Sequence, residues 1–421
     1  MRPLRILHVT PYFVDAWAYG GIPRLAHSLA RGLARRGHQV TVCTTDACDE
    51  PARLPRRPVS CTAEDVKRGE NDRVTGGLEL RVFRNLSNHL AYHWQLFLPL
   101  GLHGYLTRHA DDFDVAHLHA CRNVPGVLAA HHLRRARVPY VLAPNGTAPL
   151  IERRLLAKRV FDLVAGRRVI GGAARVLAVT QAERRQLCEL GVDPSAIRVI
   201  PNPVDLDEFA SPLTPGNFRR RFAIPPGPLV LFLGKLTPRK RLDVLVAAFA
   251  TLGRPDARLA IAGNDMGAGA AARSLVRDAG LEPRTVFTGL LRARERLEAL
   301  ADADVLVYPS EQEIFGLVPL EALLSGTPVI VADDSGCGEI VRETGGGQVV
   351  PIGDAGLLAR AIARVLQEPA VWRQAAADAS LRVRAAYGED IVCSQIEQMY
   401  REIVDGSSPA GPPEGGHYRE A

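Results

Sequence analysis

The fold is indicated first by Arg5-Ile-Leu-His-Val-Thr10, a short apolar run of the kind that forms a buried strand. After a glycine-containing loop, apolar residues recur at helical spacing from Gly21 to Gly37. Pro23 is tolerated in the first turn of such a helix, and Gly37 is a natural end. Another strand-like run follows at residues 39–45. This strand, helix and strand together predict one unit of a parallel sheet.

The same unit recurs in two series along the chain. In the first series, further β-rich runs lie at residues 114–119, 140–145, 175–180 and 197–204. After a proline-rich stretch, the second series has β-rich runs at residues 229–234, 258–263, 285–289, 304–310 and 328–332, alternating with helices such as 242–252. The pattern predicts two doubly wound parallel α/β domains in tandem, with ligands bound in a cleft at the carboxyl ends of the strands.

Chain length supports this division. A single hydrophobic core stops growing near roughly 250 to 300 residues, and this chain has 421. We place the N-terminal domain at residues 1–205, with a C-terminal helix at 388–405 packing back on it, and the second domain at 206–387. Residues 406–421 are rich in Gly, Pro and Ser and are predicted to be a disordered tail. Residues 45–77 show no period and are predicted to form a long loop.

Composition bears on compartment and redox state. No apolar run is long enough for a transmembrane helix, and Met1 to Thr10 leads directly into a strand without a charged leader, so we expect a cytoplasmic protein. The 7 cysteines are scattered without a Cys-x-x-Cys pair, which favours reduced thiols over disulfides or a zinc ribbon.

Charge is distributed unevenly between the two halves. Residues 1–205 carry 29 Lys and Arg against 18 Asp and Glu, whereas the remainder carries 23 against 28. The basic pairs Arg134-Arg135, Arg153-Arg154, Lys158-Arg159 and Arg167-Arg168 suit an anionic membrane or a phosphate-bearing substrate, or form an ordinary solvated surface. The apolar stretch 90–106 is either a membrane contact or a core helix. We expect peripheral contact with an anionic membrane surface and no nucleic-acid partner.

The strongest chemical signal is Tyr308-Pro-Ser-Glu-Gln-Glu313-Ile-Phe-Gly316, which continues through Glu321 to Gly326. A buried strand ends near its start, a loop presents Glu313, and a helix begins near Gly316. Helix-start amides suit a diphosphate, and glycine lets the ligand approach the backbone. Glu313 and Glu321 flank this anion site, and carboxylates accept hydrogen bonds from sugar hydroxyls. A nucleoside-diphosphate sugar would satisfy the whole arrangement.

This stretch resembles the retaining glycosyltransferase family 4, whose fold is GT-B and whose Glu-x7-Glu motif matches Glu313 and Glu321 in spacing. The resemblance covers nearly the whole chain to about Asp405. It implies that Glu313 holds hydroxyls of the donor sugar and that Glu321 holds the nucleotide ribose. The phosphates would be bound by the amides near Phe315, Gly316, Leu317 and Val318.

A second match is Gly234-Lys235-Leu236-Thr237-Pro238-Arg239-Lys240. In the family, an Arg and a Lys hold the donor diphosphate. Here Lys240 occupies the Lys position, but Lys235 replaces the Arg and Arg241 replaces the following Gly. Cations beside a leaving diphosphate stabilise the charge that grows as the glycosidic bond breaks. Lys240 and Glu313 are therefore candidate catalytic residues, and Lys235 is a candidate donor-binding residue.

The first domain contributes a third set of candidates. His117 and His119 alternate along one strand and so point to one face. A strand histidine is commonly structural, but the resemblance implies that His119 lies near the donor sugar as a catalytic residue. It also implies that Gly20 and Gly21 lie beside the phosphates. Asn145 stands where relatives often carry histidine and is a candidate acceptor-binding residue.

Other chemistries are less well supported. Asp302-Ala-Asp304 and Asp112-Phe-Asp114 imitate the metal-binding Asp-x-Asp of another glycosyltransferase fold, but both lie at strand starts, away from the expected cleft. His89 and His93 have a zinc-like spacing without a third ligand. The loop 263–269 only approximates a dinucleotide motif. No metal and no cofactor are expected.

The predicted protein is a retaining, metal-independent glycosyltransferase. It would move a hexose-type sugar from a UDP- or GDP-sugar to a glycan, glycolipid or lipid-linked acceptor. The alternatives that share the fold are a sugar-nucleotide epimerase and a non-catalytic nucleotide-sugar binding protein.

Overall fold

The structure of the protein, a computed structural model, describes residues 2–14, 16, 19–48, 53, 77–149, 155–211, 213–334 and 336–406. Most of the predicted loop 45–77, and the predicted tail from residue 407 onward, lie outside the described residues. The chain divides into two compact units, which are described separately below. Unit 1 is Met1–Pro203 with Glu389–Ala421, and unit 2 is Val204–Gly388.

Unit 1 is built on an eight-stranded sheet in the order β4-β3-β2-β1-β5-β6-β7-β8. Every strand pair is parallel except β3 with β4. The strands are β1 (Arg5–Val9), β2 (Gln39–Thr45), β3 (Leu78–Asn85), β4 (Pro99–Leu100), β5 (Val115–His119), β6 (Tyr140–Ala143), β7 (Arg175–Ala178) and β8 (Ile197–Val199).

Helices cover both faces of this sheet. They are α1 (Gly21–Arg35), α2 (Asn88–Trp94), α3 (Leu102–His109), α4 (Val124–Ala136), α5 (Leu155–Phe161), α6 (Arg167–Gly171) and α7 (Gln181–Glu189). The last helix of the described chain, named α16 because it follows unit 2, is Glu389–Val404. In α1, the side chains of Leu25, Leu29 and Leu33 recur at helical spacing and are buried, which is why this segment is helical and lies against the sheet.

Unit 2 has a six-stranded sheet in the order β11-β10-β9-β12-β13-β14, and all of its pairs are parallel. The strands are β9 (Leu229–Leu233), β10 (Arg258–Ala262), β11 (Thr285–Gly289), β12 (Val305–Tyr308), β13 (Val329–Asp333) and β14 (Gly347–Pro351). The helices are α8 (Asn217–Arg221), α9 (Leu242–Ala250), α10 (Gly269–Asp278), α11 (Ala293–Asp302), α12 (Leu317–Leu324), α13 (Gly336–Thr344), α14 (Ala355–Gln367) and α15 (Pro369–Tyr387).

Each sheet has one position where the strand order reverses direction. In unit 1 it lies between β1 and β5, and in unit 2 between β9 and β12. Connections leave such a pair toward opposite sides, so a crevice opens at the carboxyl ends of its two strands. The candidate residue His119 ends β5, and the candidate residue Lys235 closely follows β9. Tyr308, which was not a candidate, ends β12. The topology therefore collects the candidate residues of each unit at its own reversal.

The predicted fold class, two doubly wound parallel α/β domains, is confirmed. The strand predicted at residues 197–204 ends at Val199, because Pro201 and Pro203 have no N–H to continue the ladder. Three strands, β3, β4 and β14, were not predicted. The other predicted strands begin at the predicted residue or one residue later, and each ends within two residues of the predicted end.

The stretch 90–106 is not a single core helix, which was one of the two forms considered from the sequence. It contains most of α2, then β4 and the first half of α3. Phe97, Leu102 and Leu106 are buried in unit 1, whereas Trp94 and Leu100 are about half exposed. Among the described residues, no helix is both long and apolar enough to cross a membrane.

Helix α16 is tied to α1 by a buried carboxylate. Glu389 accepts hydrogen bonds from Ser28 Oγ at 2.6 Å and from Arg31 Nη2 at 2.8 Å, and Arg35 lies 3.2 Å away. The helices approach closely at Gly32, where an added Cβ would lie 2.9 Å from Glu389 Cγ and also overlap Cys393 Sγ. The absence of a side chain at Gly32 therefore sets the spacing of the two helices.

We predict that Gly32→Ala destabilises unit 1 by about 1–3 kcal/mol through overpacking, although alanine is the better helix former. Gly104→Ala in α3 is the matched control, because nothing lies within 4 Å of its added Cβ. It should stabilise the protein by about 0.5–1 kcal/mol. Urea denaturation of both variants measures this, and a Gly32→Ala variant as stable as Gly104→Ala would contradict the proposed close approach.

Candidate active site

In unit 2 the segment between β12 and α12 presents Glu313 and ends at Gly316. Gly316 has φ +79°, and an added Cβ there would lie 2.6 Å from Cys337 Sγ, so both conformation and space require glycine. Gly316 is the N-cap of α12 and brings no side chain to cap it. The amides of Leu317 and Val318 therefore begin a helix whose N-terminal end has no side-chain cap. Phe315 is buried and packs edge-on against Tyr387 at 5.8 Å between ring centroids.

Lys240 lies in a buried polar cluster beside this loop. It ends the 3₁₀ turn Pro238–Lys240, and its residue surface is only 5% exposed. Its Nζ donates to Tyr308 Oη and, at 2.5 Å, to Glu313 Oε2, and it lies 4.3 Å from the centroid of the Tyr308 ring. Tyr308 Oη in turn donates to Glu313 Oε2 at 3.2 Å. The structure thus brings together two of the predicted catalytic residues, Lys240 and Glu313.

This cluster keeps Glu313 ionised. Burial alone would raise the pKa of the Glu313 carboxyl, but the charges of Lys240 and Arg239 and the hydrogen bonds from Lys240 and Tyr308 outweigh burial and lower it. Burial, together with the charge of Glu313, raises the pKa of Tyr308 well above its usual range, so its hydroxyl stays protonated. Glu313 is therefore a hydrogen-bond acceptor for hydroxyl groups rather than a proton donor.

The loop that carries Glu313 is fixed by the segment that carries Lys240. Glu311 N donates to the carbonyl of Arg239 at 2.8 Å, and the Glu311 carboxylate pairs with Arg241. Below the loop, Cys337 N donates to the carbonyl of Glu313 at 2.9 Å. Arg241, which replaces the family's glycine, has φ +49° and also pairs with Asp243. Its side chain therefore positions the loop, which explains how arginine is accommodated there.

Glu321 occupies a more enclosed position than the sequence suggested. It lies in α12, is fully buried, and its Oε2 is 3.2 Å from Arg296 Nε. Arg296 also pairs with Glu208 at 2.5 Å. Glu321 is thus held in an ion pair within unit 2.

The dinucleotide-like loop 263–269 is closed on itself. Asp265 Oδ1 accepts from the amides of Gly267 and Gly269 at 2.9 Å each, and these bonds lower the pKa of its carboxyl. A Cβ on Gly263 would overlap the carbonyl of Gly234, so the loop packs against the turn that carries Lys235. With these amides satisfied by a carboxylate, the loop does not favour a dinucleotide phosphate.

The two Asp-x-Asp sequences are engaged in structural contacts. Asp302 accepts from Gly216 N at 2.6 Å, and Asp304 pairs with Arg219 and Arg373. Asp114 pairs with Arg2 and Arg5. In the part of the chain that the structure describes, no group of three His, Cys, Asp or Glu is placed to hold a metal ion.

Unit 1 contains a cluster of buried histidines at its strand reversal. His8 of β1 is paired in register with His117 of β5, and His8 Nδ1 shares a hydrogen bond of 3.1 Å with His119 Nε2. The rings of His117 and His119 are stacked at 4.5 Å, and His117 Nδ1 lies 2.6 Å from Tyr400 Oη of α16. All three histidines are at most 1% exposed.

The histidines are neutral because of this environment. Burial, reinforced by His119, lowers the pKa of His8 well below its usual range. Burial and the two neighbouring rings do the same for His117. Burial lowers the pKa of His119 to about 3. His119 is therefore suited to neutral hydrogen bonding and not to proton transfer near neutral pH.

A small cavity in unit 1 is lined by His119, Asn145 and Asn202, among others. His119 Nδ1 and Asn145 Oδ1 are buried and have no hydrogen-bond partner among the described residues. Asn145 has φ +52°, and the next residue, Gly146, donates to the buried Glu183 at 2.6 Å. Burial raises the pKa of Glu183 to about 7 against two backbone hydrogen bonds. The cavity thus offers polar atoms from two predicted site residues.

The glycine pair of unit 1 is also at a helix start. Gly20 has φ +94° and is the N-cap of α1, again without a side-chain cap, and Gly21 is the first residue of the helix. The His89 and His93 rings lie 4.5 Å apart on α2. Both pairs lie in unit 1.

Comparison with known proteins identifies the family. Residues 217–382 match the family described as "Glycosyl transferases group 1", and residues 19–208 match "Glycosyltransferase Family 4". A D-inositol 3-phosphate glycosyltransferase of Mycolicibacterium smegmatis is 31% identical over 90% of this chain and 86% of its own. The chain is a group 1 glycosyltransferase of family 4.

Solved structures agree with the glycosyltransferase fold. Sucrose-phosphate synthase from Thermosynechococcus elongatus superposes with a TM-score of 0.72 at 22% identity, covering 96% of this chain and 100% of that one. HepE of Anabaena, solved in complex with UDP and glucose, gives 0.73 at 19% identity, covering 94% and 99%. The predicted GT-B fold is confirmed by these neighbours.

Two residues of the candidate sites were missed from the sequence. Tyr308 lies within the strand predicted at residues 304–310, yet its hydroxyl contacts both Lys240 and Glu313. His8 was taken as part of an apolar strand, yet it contacts His119. In both cases a polar group within an otherwise apolar, fully buried strand was the available signal.

We predict that Lys240→Ala lowers turnover of the glycosyltransferase by about a hundredfold or more, the size of effect seen when one charge-stabilising donor is lost. Tyr308→Phe should cause a smaller loss, because it removes only the hydroxyl that contacts Lys240. Arg254→Ala, which breaks an exposed pair with Asp256, is the control and should retain full activity. Turnover is measured as nucleotide release under saturating substrate. A turnover of Lys240→Ala close to that of the wild type would show that Lys240 is not part of the active site.

We also predict that stability falls in acid because of the histidine cluster. The folded pKa values lie below the ordinary value of about 6.5, so below that pH only the unfolded chain takes up these protons. Stability is therefore fully present above about pH 6.5 and is lost as pH falls toward 3.

In this pH range, each histidine adds up to about 1.4 kcal/mol per pH unit to the slope of the free energy of unfolding against pH. Urea denaturation at several pH values between about 4 and 7 gives the free energy of unfolding at each pH. This free energy should change less steeply with pH in His8→Phe than in the wild type. The exposed His131 of α4, replaced by Asn, serves as the control and should leave the slope unchanged. Equal slopes for all three proteins would refute the assignment.

Proposed function

We propose that this glycosyltransferase moves a hexose-type sugar from a nucleoside-diphosphate sugar with retention of anomeric configuration and without a metal ion. The observation that carries the proposal is the Lys240 ammonium group, buried between Tyr308 and Glu313. An ammonium group has three N–H donors, and these two contacts use two of them. The third is available for a diphosphate. HepE, which has the same fold, binds UDP and glucose.

Donor recognition would be divided among the elements of unit 2. The diphosphate would meet Lys240, Lys235 and the uncapped first turn of α12, where helix amides favour an anion. The ionised Glu313 would accept hydrogen bonds from hydroxyls of the sugar, and Glu321 those from the ribose. Lysine at position 235 offers a point charge without arginine's bidentate geometry. Gly20, Gly21 and His119 of unit 1 remain predicted donor contacts.

Bond exchange would occur on one face of the sugar. The bond from the anomeric carbon to the diphosphate oxygen breaks, and the acceptor oxygen bonds to the same carbon from the same side. The acceptor proton passes to the departing diphosphate oxygen. Lys240 and the α12 amides stabilise the charge that develops on that oxygen, in place of a cation. Glu313 stays ionised and accepts hydroxyl hydrogen bonds, so no glycosyl-enzyme intermediate is required.

For the acceptor we propose a glycan, glycolipid or lipid-linked intermediate at an anionic membrane surface. Residues 1–205 carry an excess of Lys and Arg, with 29 against 18 acidic residues. A second acceptor class, a small phosphorylated polyol, is favoured by the relatives, which are named D-inositol 3-phosphate glycosyltransferases. Both classes carry phosphate or lie beside it, so basic charge alone does not separate them.

We predict that the purified protein releases nucleoside diphosphate from one of a panel of UDP- and GDP-sugars in the presence of EDTA. The acceptors to compare are D-inositol 3-phosphate and a lipid-linked glycan extract. NMR of the product should show the anomeric configuration of the donor. Heat-treated protein and the Lys240→Ala variant are the controls.

The alternatives give different results in the same assay. An epimerase would isomerise the sugar nucleotide without releasing diphosphate, and a binding protein would do neither. An inverted linkage would refute the retaining mechanism. Activity lost in EDTA and restored by manganese would refute metal independence.

A further inference from the structure

A helical segment of unit 1 exposes an apolar face. It runs through α5, the π-helical turn Asp162–Gly166 and α6 without interruption. Four large apolar residues at positions i, i+4, i+7 and i+8 are more than half exposed: Leu156 at 75%, Val160 at 53%, Leu163 at 71% and Val164 at 63%. This spacing places all four on one face of a helix.

The opposite face is firmly held, so the exposure is not the result of a loosely attached helix. Asp162 accepts two hydrogen bonds from Arg122, at 2.8 Å from Nε and 2.7 Å from Nη2. Val169 is buried in the core of unit 1, and its carbonyl accepts from Tyr140 Oη at 2.7 Å. Gly166 is also buried. The segment is therefore attached to unit 1 by one face, and it turns its apolar residues outward on the other.

Basic residues accompany the apolar face. Arg159, Arg167 and Arg168 of this segment are exposed, and Lys158 is partly exposed. The only acidic residue from 155 to 171 is Asp162, which is paired with Arg122. Arg134 of α4 extends the basic charge, since it lies against Gly172 at the end of α6. The basic pair Arg153-Arg154, noted in the sequence, lies outside the described residues.

We propose that the face formed by Leu156, Val160, Leu163 and Val164 is the surface by which the protein docks on an anionic lipid bilayer. An amphipathic helix with apolar residues and arginines binds the interface through apolar burial and through attraction to anionic headgroups. Excess positive charge along the segment favours a bilayer over a neutral protein partner. The inference rests on the proposed membrane-located acceptor. It places the membrane contact at this face instead of at the stretch 90–106, in which Phe97, Leu102 and Leu106 are buried.

The test compares two double variants with equal change in charge. Val160→Glu with Leu163→Glu alters the proposed face. Val371→Glu with Leu381→Glu alters two residues of α15 in unit 2 that are similarly exposed, at 62% and 68%. Both pairs are surface changes, so folding should persist, and circular dichroism and thermal denaturation check this. Binding is measured by sedimentation with vesicles of phosphatidylglycerol and phosphatidylcholine, and with phosphatidylcholine alone.

We expect the wild type to bind only the vesicles that contain phosphatidylglycerol, and added salt to weaken binding. The α5 variant should bind about tenfold more weakly, while the α15 variant should bind as the wild type does. No vesicle binding by the wild type, or equal loss in both variants, would overturn the proposal. So would sedimentation velocity that shows a wild-type dimer and a monomeric α5 variant, because the face would then pair with a second copy.

Nucleotide release without vesicles separates this inference from the proposed function. The α5 variant should keep wild-type release from the donor sugar in solution, since none of its changes touches the Lys240 cluster. If the wild type releases nucleotide but does not bind vesicles, the proposed transferase activity is supported and the proposed docking surface is refuted. If the wild type binds vesicles but releases nucleotide from no sugar nucleotide, the docking surface is supported and the proposed donor chemistry is refuted.

Discussion

The reversal of strand order in each sheet is the constraint on which the sites depend. A parallel strand ends where its connection begins, and adjacent connections that leave in opposite directions cannot cover the edge between them. Whatever polar groups the sequence places after β9 and within the end of β12 must meet at that uncovered edge. Lys240, Tyr308 and Glu313 lie together at this edge, although they are up to 73 positions apart in sequence. The histidines of unit 1 meet at its own reversal, where β1 lies beside β5.

A buried ammonium group then imposes its own requirements. Burying an unpaired charge is costly, so Lys240 must have an acceptor, and the loop with Glu313 must be held where it can serve as one. Arg239 and Arg241, together with Cys337 N, hold that loop. Gly316 can then place α12 against Cys337 with no side chain between them. Conformation, charge and close packing in this loop are thus mutually dependent.

The sequence predicted the fold class well because strand and helix periodicity are local properties. It predicted Lys240 and Glu313 through family motifs, and the structure joins them directly. Tyr308 and His8 were missed because their importance comes from partners on distant segments, which periodicity does not report. Strand β3 was missed because its alternation, Leu78-Glu-Leu-Arg-Val, borders an aperiodic stretch. The enclosure of Glu321 by Arg296 depends on the packing of α11 against α12 and has no sequence signal.

Helix α16 makes unit 1 discontinuous in sequence, which matters during synthesis on the ribosome. Tyr400 and Glu389 complete the contacts of His117 and Arg31 only after residues 204–388 have been translated. At roughly 5–20 residues per second, those residues take on the order of 10–40 s to emerge. During that interval the nascent sheet of unit 1 leaves the faces of α1 and β5 that later receive α16 uncovered. Unit 2, whose residues are contiguous, can finish folding before α16 completes unit 1.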